Sequence, residues 1–320
     1  MLRFYEAKSN SEIDILISQF SQLMKSKWEN IHSQANIFRY KIDFIRERLL
    51  DEKYLLQLNP SRSTNRRTPE HISEISQPFD ENKFNFKKVS KDEIMFIFKE
   101  SANEDSHVVL VNVSPITRYH SLLCPSIEKC LPQVITEDSL KLVIDLMLLA
   151  KDGNLRIGFN SLCALASVNH LHFHLFLEKN NLPIENLKCK HIKGPLYSFV
   201  DYPVPGFCFE ITSSYKIDEI FKLIKFLLKK SIAHNVFITR GSSMEDGKGA
   251  IRLLVWPRKS SAGAKQLAAF NVAVCELSGW FPVYNCEDFE NLKKEDIEKE
   301  LRKWRIDDFD QLCEEVKLIY

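Results

Sequence analysis

The chain has 320 residues, 44% of them hydrophobic, with 44 lysines and arginines set against 43 aspartates and glutamates. That length and apolar content can bury a sizeable core and predict roughly two domains. A net charge of +1 supplies no general attraction to nucleic acid or to an anionic membrane, which excludes functions that rest on bulk charge.

The first residues contain no apolar core long enough for a secretory signal. The longest apolar stretch, around Leu142 to Ala150, carries Asp145 and is too short to span a bilayer. A soluble, cytoplasmic protein is expected, without nucleic-acid or membrane partners. Eight cysteines without a Cys-x-x-Cys pair read as buried apolar residues of a reducing compartment.

From Ser11 to about Leu58, helical periodicity is carried by Ile13, Leu16, Ile17, Phe20 and Met24. Residues 59–83 are polar, contain three prolines and predict a long loop. Strands are predicted at Ile94–Phe98, Val108–Val113 and Ser121–Cys124. A helix follows from Asp138 to Ala150, stopped at Asp152-Gly153-Asn154, and then strands at Ile157–Asn160 and Asn169–Leu177. The second half repeats this order more weakly: a strand at Phe207–Ile211, an amphipathic helix at Ile217–Ser231, and strands at Asn235–Thr239 and Arg252–Trp256. A polar loop with Gly241, Gly247 and Gly249 joins the last two. The tail from Lys293 to Tyr320 is charged and helical. These features predict an α+β chain with a helical segment and loop (1–83), a first half (84–194) and a degenerate second half (195–320), a tandem duplication in outline.

His170, His172 and His174 alternate with Leu171, Phe173 and Leu175. On a strand this period of two puts three imidazoles on one face and three apolar side chains on the other. Neutral imidazole is a good nucleophile near pH 7. The cluster therefore points to attack on the α-phosphorus of a nucleotide, with a covalent nucleotidyl-histidine splitting one hard displacement into two. The attacking ring must keep its other nitrogen protonated against an acceptor, and a backbone carbonyl of the same strand can serve His172. Phosphate oxygens need fixed donors. Asn160, Ser161 and Ser167, in the small-residue stretches just upstream, are the candidates. Zinc is the rival use of clustered histidines. Three of them on a flat strand spread over about 13 Å, so one ion does not easily take all three, though two of them with a distant ligand could hold one; nucleophilic catalysis is the preferred reading.

The segment His170-Leu-His-Phe-His-Leu-Phe176 resembles the histidine-triad signature. Pro115-Ile-Thr-Arg-Tyr-His120-Ser-Leu-Leu-Cys-Pro125 resembles that superfamily's second hallmark, with Tyr119 where glycine is expected. Arg156-Ile-Gly-Phe-Asn-Ser-Leu162, Cys130-Leu-Pro-Gln133, Ala233-His-Asn-Val-Phe-Ile-Thr-Arg-Gly241 and Trp256-Pro-Arg-Lys-Ser260 extend the likeness. Together they are similar to the GDP-D-glucose phosphorylase family, which is related to plant GDP-L-galactose phosphorylase in the galactose-1-phosphate uridylyltransferase branch.

The resemblance implies a histidine-triad-like fold of two tandem halves, antiparallel sheet flanked by helices, and a nucleotidyltransferase acting on GDP-glucose and inorganic phosphate. His172 would be the nucleophile, with His170, His174 and His120 completing the catalytic set. Histidine rather than glutamine at position 174 favours the animal-type enzyme. Cys163-Ala164 stand where the family tends to have glycines. The branch's zinc-binding cysteine pair has no counterpart here, so no metal or other cofactor is expected, and a homodimer is implied by analogy alone. Phosphate calls for cations: Arg66, Arg67, Arg240, Arg252, Arg258 and Lys259 are the candidates, and Phe38, Phe84 or Phe86 can stack on guanine. Two alternatives stay open, a nucleotide-sugar hydrolase or transferase with another nucleotide, and a non-catalytic nucleotide-binding regulator.

Overall fold

The computed structural model describes residues 2–4, 19–65, 72–100, 105–212, 214–261 and 269–320. Arg66 and Arg67, and the part of the predicted first helix before residue 19, lie outside these residues.

The first repeat runs β4 (Ile94–Glu100), β5 (Ser106–Val111), β6 (Ser121–Cys124), α3 (Glu137–Leu149), β7 (Leu155–Asn160) and β8 (Phe173–Leu177). The second runs β9 (Cys189–Lys193), β10 (Leu196–Phe199), β11 (Phe207–Ile211), α4 (Ile217–Lys229), β12 (His234–Ser242) and β13 (Gly249–Pro257). Their spatial orders are identical in form, 4-5-6-8-7 and 9-10-11-13-12. The two repeats join edge to edge where β7 pairs antiparallel with β12, from Asn235 opposite Asn160 to Ile238 opposite Ile157. A short strand β1 (Leu2–Phe4) extends the far side of β4. Among the described residues the result is one antiparallel sheet of eleven strands.

One face of this sheet is covered by α1 (Phe20–Ser33), α3, α4 and α8 (Phe309–Lys317). Leu171, Phe173 and Leu175 enter that core, as the alternation predicts. The helix α3 starts where Thr136 accepts from Ser139 N–H at 3.2 Å and Ser139 Oγ accepts from Thr136 N–H at 2.9 Å, a reciprocal cap. The other face meets a second sheet of β2 (Arg46–Leu50), β3 (Tyr54–Leu58) and β14 (Trp280–Val283), with Phe176, Trp256 and Trp280 between them. Short helices α2 (Ser61–Asn65), α5 (Val274–Leu277), α6 (Cys286–Asn291) and α7 (Lys294–Arg302) complete the chain. Among the described residues no helix is long and apolar enough to cross a membrane.

Three expectations need correction. The helix expected through Leu58 ends at Ser33, and residues 46–58 form the β2–β3 hairpin, turning through Asp51 and Glu52 at φ of 50° and 52°. Tyr54–Leu58 is buried throughout because β3 lies between two strands, and an unbroken apolar run does not distinguish such a strand from a helix. The loop expected over Gly241–Gly249 is shorter, since Gly241 belongs to β12 and Gly249 opens β13. A Cβ at Gly241 would stand 2.0 Å from the Glu185 carbonyl oxygen, so close approach explains that glycine. Finally, the strand expected from Asn169 begins at Phe173. Leu171 N–H donates instead to the Leu131 carbonyl at 2.8 Å, outside the ladder.

Candidate active site

A cleft with about 1100 Å³ of open space lies against the first repeat at the ends of β5, β7 and β8, closed on one side by residues 271–284. His172 and His174 line it, their rings 5.3 Å apart. His172 Nδ1 lies 2.8 Å from the His170 carbonyl, so its proton is directed there and the Nε2 lone pair is left for chemistry. Burial pushes the His172 pKa down to about 4, so the ring is neutral at pH 7. His170 does not line the cleft. It accepts from Phe86 N–H through Nδ1 at 3.1 Å and packs against Phe79 and Phe86, fixing the chain in front of His172.

His120 is fully buried on β6's approach and accepts Ile116 N–H at Nδ1, 2.9 Å. A neutral His120 therefore carries its proton on Nε2, 3.0 Å from His174 Nδ1. His174 Nε2 faces the Asn160 amide nitrogen at 3.2 Å. Asn160 is a junction: its Oδ1 accepts from Asn235 of β12 at 2.6 Å and from Val274 N–H of α5 at 3.0 Å. It lines the cleft, as does Ser167. Ser161 does not, because its hydroxyl binds the Leu162 carbonyl and accepts His234 N–H.

The expected cations divide. Arg252 is turned away from the cleft, donating to the carbonyls of Ser242 (2.7 Å), Leu187 (2.7 Å) and Ile184 (3.3 Å). Arg258 is buried over the Trp304 ring, its guanidinium carbon 4.3 Å from the centroid, and donates to the Val272 carbonyl. Lys259 pairs with Asp307 at the surface, 2.5 Å. Arg240 donates to the Met147 carbonyl at 2.5 Å. None of these four lines the cleft. Among the described residues the arginine that does is Arg62 on α2, hydrogen-bonded to the Ser114 carbonyl. Burial works against its charge, but Tyr40, Tyr284 and Glu276 outweigh it and hold the guanidinium protonated. Phe84 and Phe86 line the cleft, whereas Phe38 packs on Trp28 in the core.

Sequence reasoning passed over Arg62, Glu276 and Gln133. The first two come from segments remote in sequence and carry no local mark. Gln133 is fully buried and clamps the His172 backbone: its Oε1 accepts His172 N–H at 2.9 Å, and its Nε2 donates to the carbonyls of His172 (3.1 Å) and Asn160 (2.9 Å). Its place in Cys130-Leu-Pro-Gln133 was the signal. Among the described residues no group of three or more His, Cys, Asp or Glu side chains is arranged to hold a metal ion.

The family described as GDPGP1-like matches this chain with its N-terminal domain over residues 19–176 and its C-terminal domain over residues 178–318. The chain belongs to the GDPGP1-like family. The GDP-D-glucose phosphorylase 1 of Danio rerio is 38% identical to this GDPGP1-like chain over 301 residues, 90% of this chain and 87% of that protein. The human protein of the same name is 34% identical, over 86% of this chain and 76% of its own length. GDP-L-galactose phosphorylase 2 of Arabidopsis thaliana is 30% identical over 91% of this chain and 72% of its own. Among solved structures, yeast Ap4A phosphorylase Apa2 in complex with AMP superposes with a TM-score of 0.61 over 91% of this GDPGP1-like chain and 98% of Apa2, at 14% identity. That likeness is one of fold: an α+β, histidine-triad-like architecture with antiparallel sheet flanked by helices.

Proposed function

We propose that this chain is a GDP-D-glucose phosphorylase, converting GDP-glucose and inorganic phosphate to GDP and glucose 1-phosphate through a guanylyl-histidine. Curated relatives of that name align over most of both chains. The observation that carries the chemistry is the His172 ring, neutral in its buried setting, with Nδ1 bound to the His170 carbonyl and Nε2 released toward the cleft.

His172 Nε2 attacks the α-phosphorus, the bond from that phosphorus to the bridging oxygen breaks, and glucose 1-phosphate leaves with the electron pair. His174, its ring 5.3 Å from that of His172 at the cleft wall, is the side chain placed beside the phosphoryl group where negative charge develops. Inorganic phosphate then takes the leaving group's place. One of its oxygens attacks the guanylyl phosphorus, the P–N bond breaks, and His172 returns to its starting state as GDP departs. Arg62 is the cation that both phosphate groups meet in turn. The covalent intermediate imposes ping-pong kinetics.

The test mixes purified protein with GDP-glucose, with and without phosphate. GDP and glucose 1-phosphate are expected only when phosphate is present. Release of GMP at an equal rate without phosphate would make the protein a hydrolase. His172→Asn is expected to keep the fold and lose at least about 1000-fold in kcat, together with all trapping of labelled guanylyl group.

A further inference from the structure

The two repeats meet where β7 pairs with β12, and the register sets Asn160 directly opposite Asn235. Opposed residues of an antiparallel pair send their side chains to the same face. Asn160 lines the cleft, its Nδ2 3.2 Å from His174 Nε2. Asn235 does not line it and is fully buried. Its Nδ2 donates to Asn160 Oδ1 at 2.6 Å, and Val274 N–H meets the same oxygen at 3.0 Å. The Asn235 Nδ2 also donates to the Ala164 carbonyl at 3.0 Å, in the loop between β7 and β8. Two donors on Oδ1 leave the Nδ2 end of Asn160 for the cleft. An amide offers a phosphate oxygen a donor at one end and an acceptor at the other, and only the donor end attracts it.

On the far side of Asn235 stands Arg258. Its Nη1 lies 3.5 Å from Asn235 Oδ1 and donates to the carbonyl of Val272, in the segment that closes the cleft. Among the described residues its Nη2 is buried without a hydrogen-bond partner. Burial pushes its pKa down to about 9, against the field of Glu276, so the charge is kept at pH 7. A separation of 3.5 Å is long for a hydrogen bond, but in a medium of low dielectric the charge still draws the Asn235 oxygen toward itself. The Asn235 nitrogen is thereby turned toward Asn160.

We propose that Asn235, a residue of the second repeat, is a positioning residue of the phosphorolysis: it fixes the Asn160 amide with the nitrogen toward the phosphoryl group. The assignment rests on the reading of Asn160 as a phosphate donor in that reaction. One amide across the junction gives the degenerate repeat a part in the chemistry of the first.

Two variants separate positioning from support. Asn235→Asp puts a carboxylate oxygen where Nδ2 stood. The Asn160 nitrogen turns to that oxygen and away from the cleft, while Arg258 gains a carboxylate partner. N235D is expected to keep its thermal midpoint within about 5 °C of wild type and to lose at least about 30-fold in kcat/KM for GDP-glucose. Asn235→Ala leaves a cavity and strands the Ala164 carbonyl, but Val274 N–H still holds Asn160 in its working orientation. N235A is expected to be the less stable of the two and the more active, within about tenfold of wild type. A purely structural role would rank the variants in the same order by stability and by activity, and that result overturns the proposal. So does an N235D that turns over at the wild-type rate, or one that fails to fold despite the new partner for Arg258. If N235A fails to fold, N235D against wild type decides alone. GDP binding by titration calorimetry needs no turnover and is expected to be at least about fivefold weaker in N235D; equal affinity counts against the proposal. A wild type that binds GDP with this dependence on residue 235 yet fails to phosphorolyse GDP-glucose leaves Asn235 standing and defeats the reaction. Phosphorolysis at one rate by wild type and N235D defeats the Asn235 assignment alone.

Discussion

The proposed nucleophile, His172, owes the orientation of its ring to main-chain geometry. The His170 carbonyl takes the Nδ1 proton, and Gln133 holds the His172 peptide from both sides. Because Gln133 is fully buried, truncating it strands the His172 N–H and two carbonyls away from water. Gln133→Ala is expected to destabilise the fold by about 2–4 kcal/mol. It should also lower kcat by at least about tenfold through misplacement of the ring, with a smaller effect on KM. Thermal midpoints and steady-state rates check both; an unchanged kcat would show that β8 alone positions the nucleophile. Tyr119 is a second residue whose backbone matters. It sits at φ 63° where the triad hallmark has glycine, a left-handed conformation costing about 1 kcal/mol for a side chain. Its ring contacts the Trp28 ring at 5.5 Å and the Arg118 guanidinium at 5.6 Å, which holds the turn before His120.

At the scale of elements, arginines with the same chemistry divide by where their strand or helix points. Arg252, central in β13, ties that strand to the carbonyls of Ser242, Ile184 and Leu187. Arg62, on the short helix after β3, opens into the cleft. Arg62→Ala is therefore expected to raise KM for phosphate by about tenfold or more with little change in thermal midpoint. Arg252→Ala should cost about 2–4 kcal/mol of stability by unpairing buried carbonyls, leaving KM for phosphate unchanged. Both variants measured side by side decide which arginine meets the substrate; the opposite pattern would return the role to Arg252. In the loop between β7 and β8, Cys163 and Leu165 hold left-handed backbone, at φ 59° and 73°. Hydrogen bonds from Ala164 and Ala166 N–H to the Ser161 carbonyl keep that turn closed beside Ser167.

Across the whole molecule, the joined sheet buries histidines that unfolded chain would expose. Burial pushes His107, His170, His172 and His234 down to about 4, and His120 well below its ordinary value. The sign follows from proton counting: between pH 6.5 and 4 the unfolded chain binds protons at these sites and the folded chain does not, so stability falls as pH falls through that window. Each of the four contributes roughly 1 kcal/mol of loss by pH 5.5. Thermal midpoints between pH 7.5 and 5 should drop steeply below pH 6.5, and a flat profile would mean that these imidazoles are hydrated and titrate normally.

The period of two over residues 171–175 showed by itself that Leu171, Phe173 and Leu175 enter the core while His172 and His174 face the other way, because side-chain direction on extended backbone is a local property; that His170 is held out of the cleft by Phe86 N–H was not legible. The repeat of strand, helix and strand was likewise legible, as was His172 with a carbonyl of its own segment as proton acceptor. What the chain order cannot carry is which remote segments converge. Arg62, Glu93 and Glu276 reach one cleft only because β3 pairs with β14, a 3-10 turn leads into β4, and α5 docks on Asn160. Tyr54–Leu58 shows the same limit in reverse: its apolar run fits helix or strand until two neighbouring strands supply hydrogen bonds along both edges. Tertiary pairing decides such cases, since a buried backbone must find its partners wherever the fold brings them.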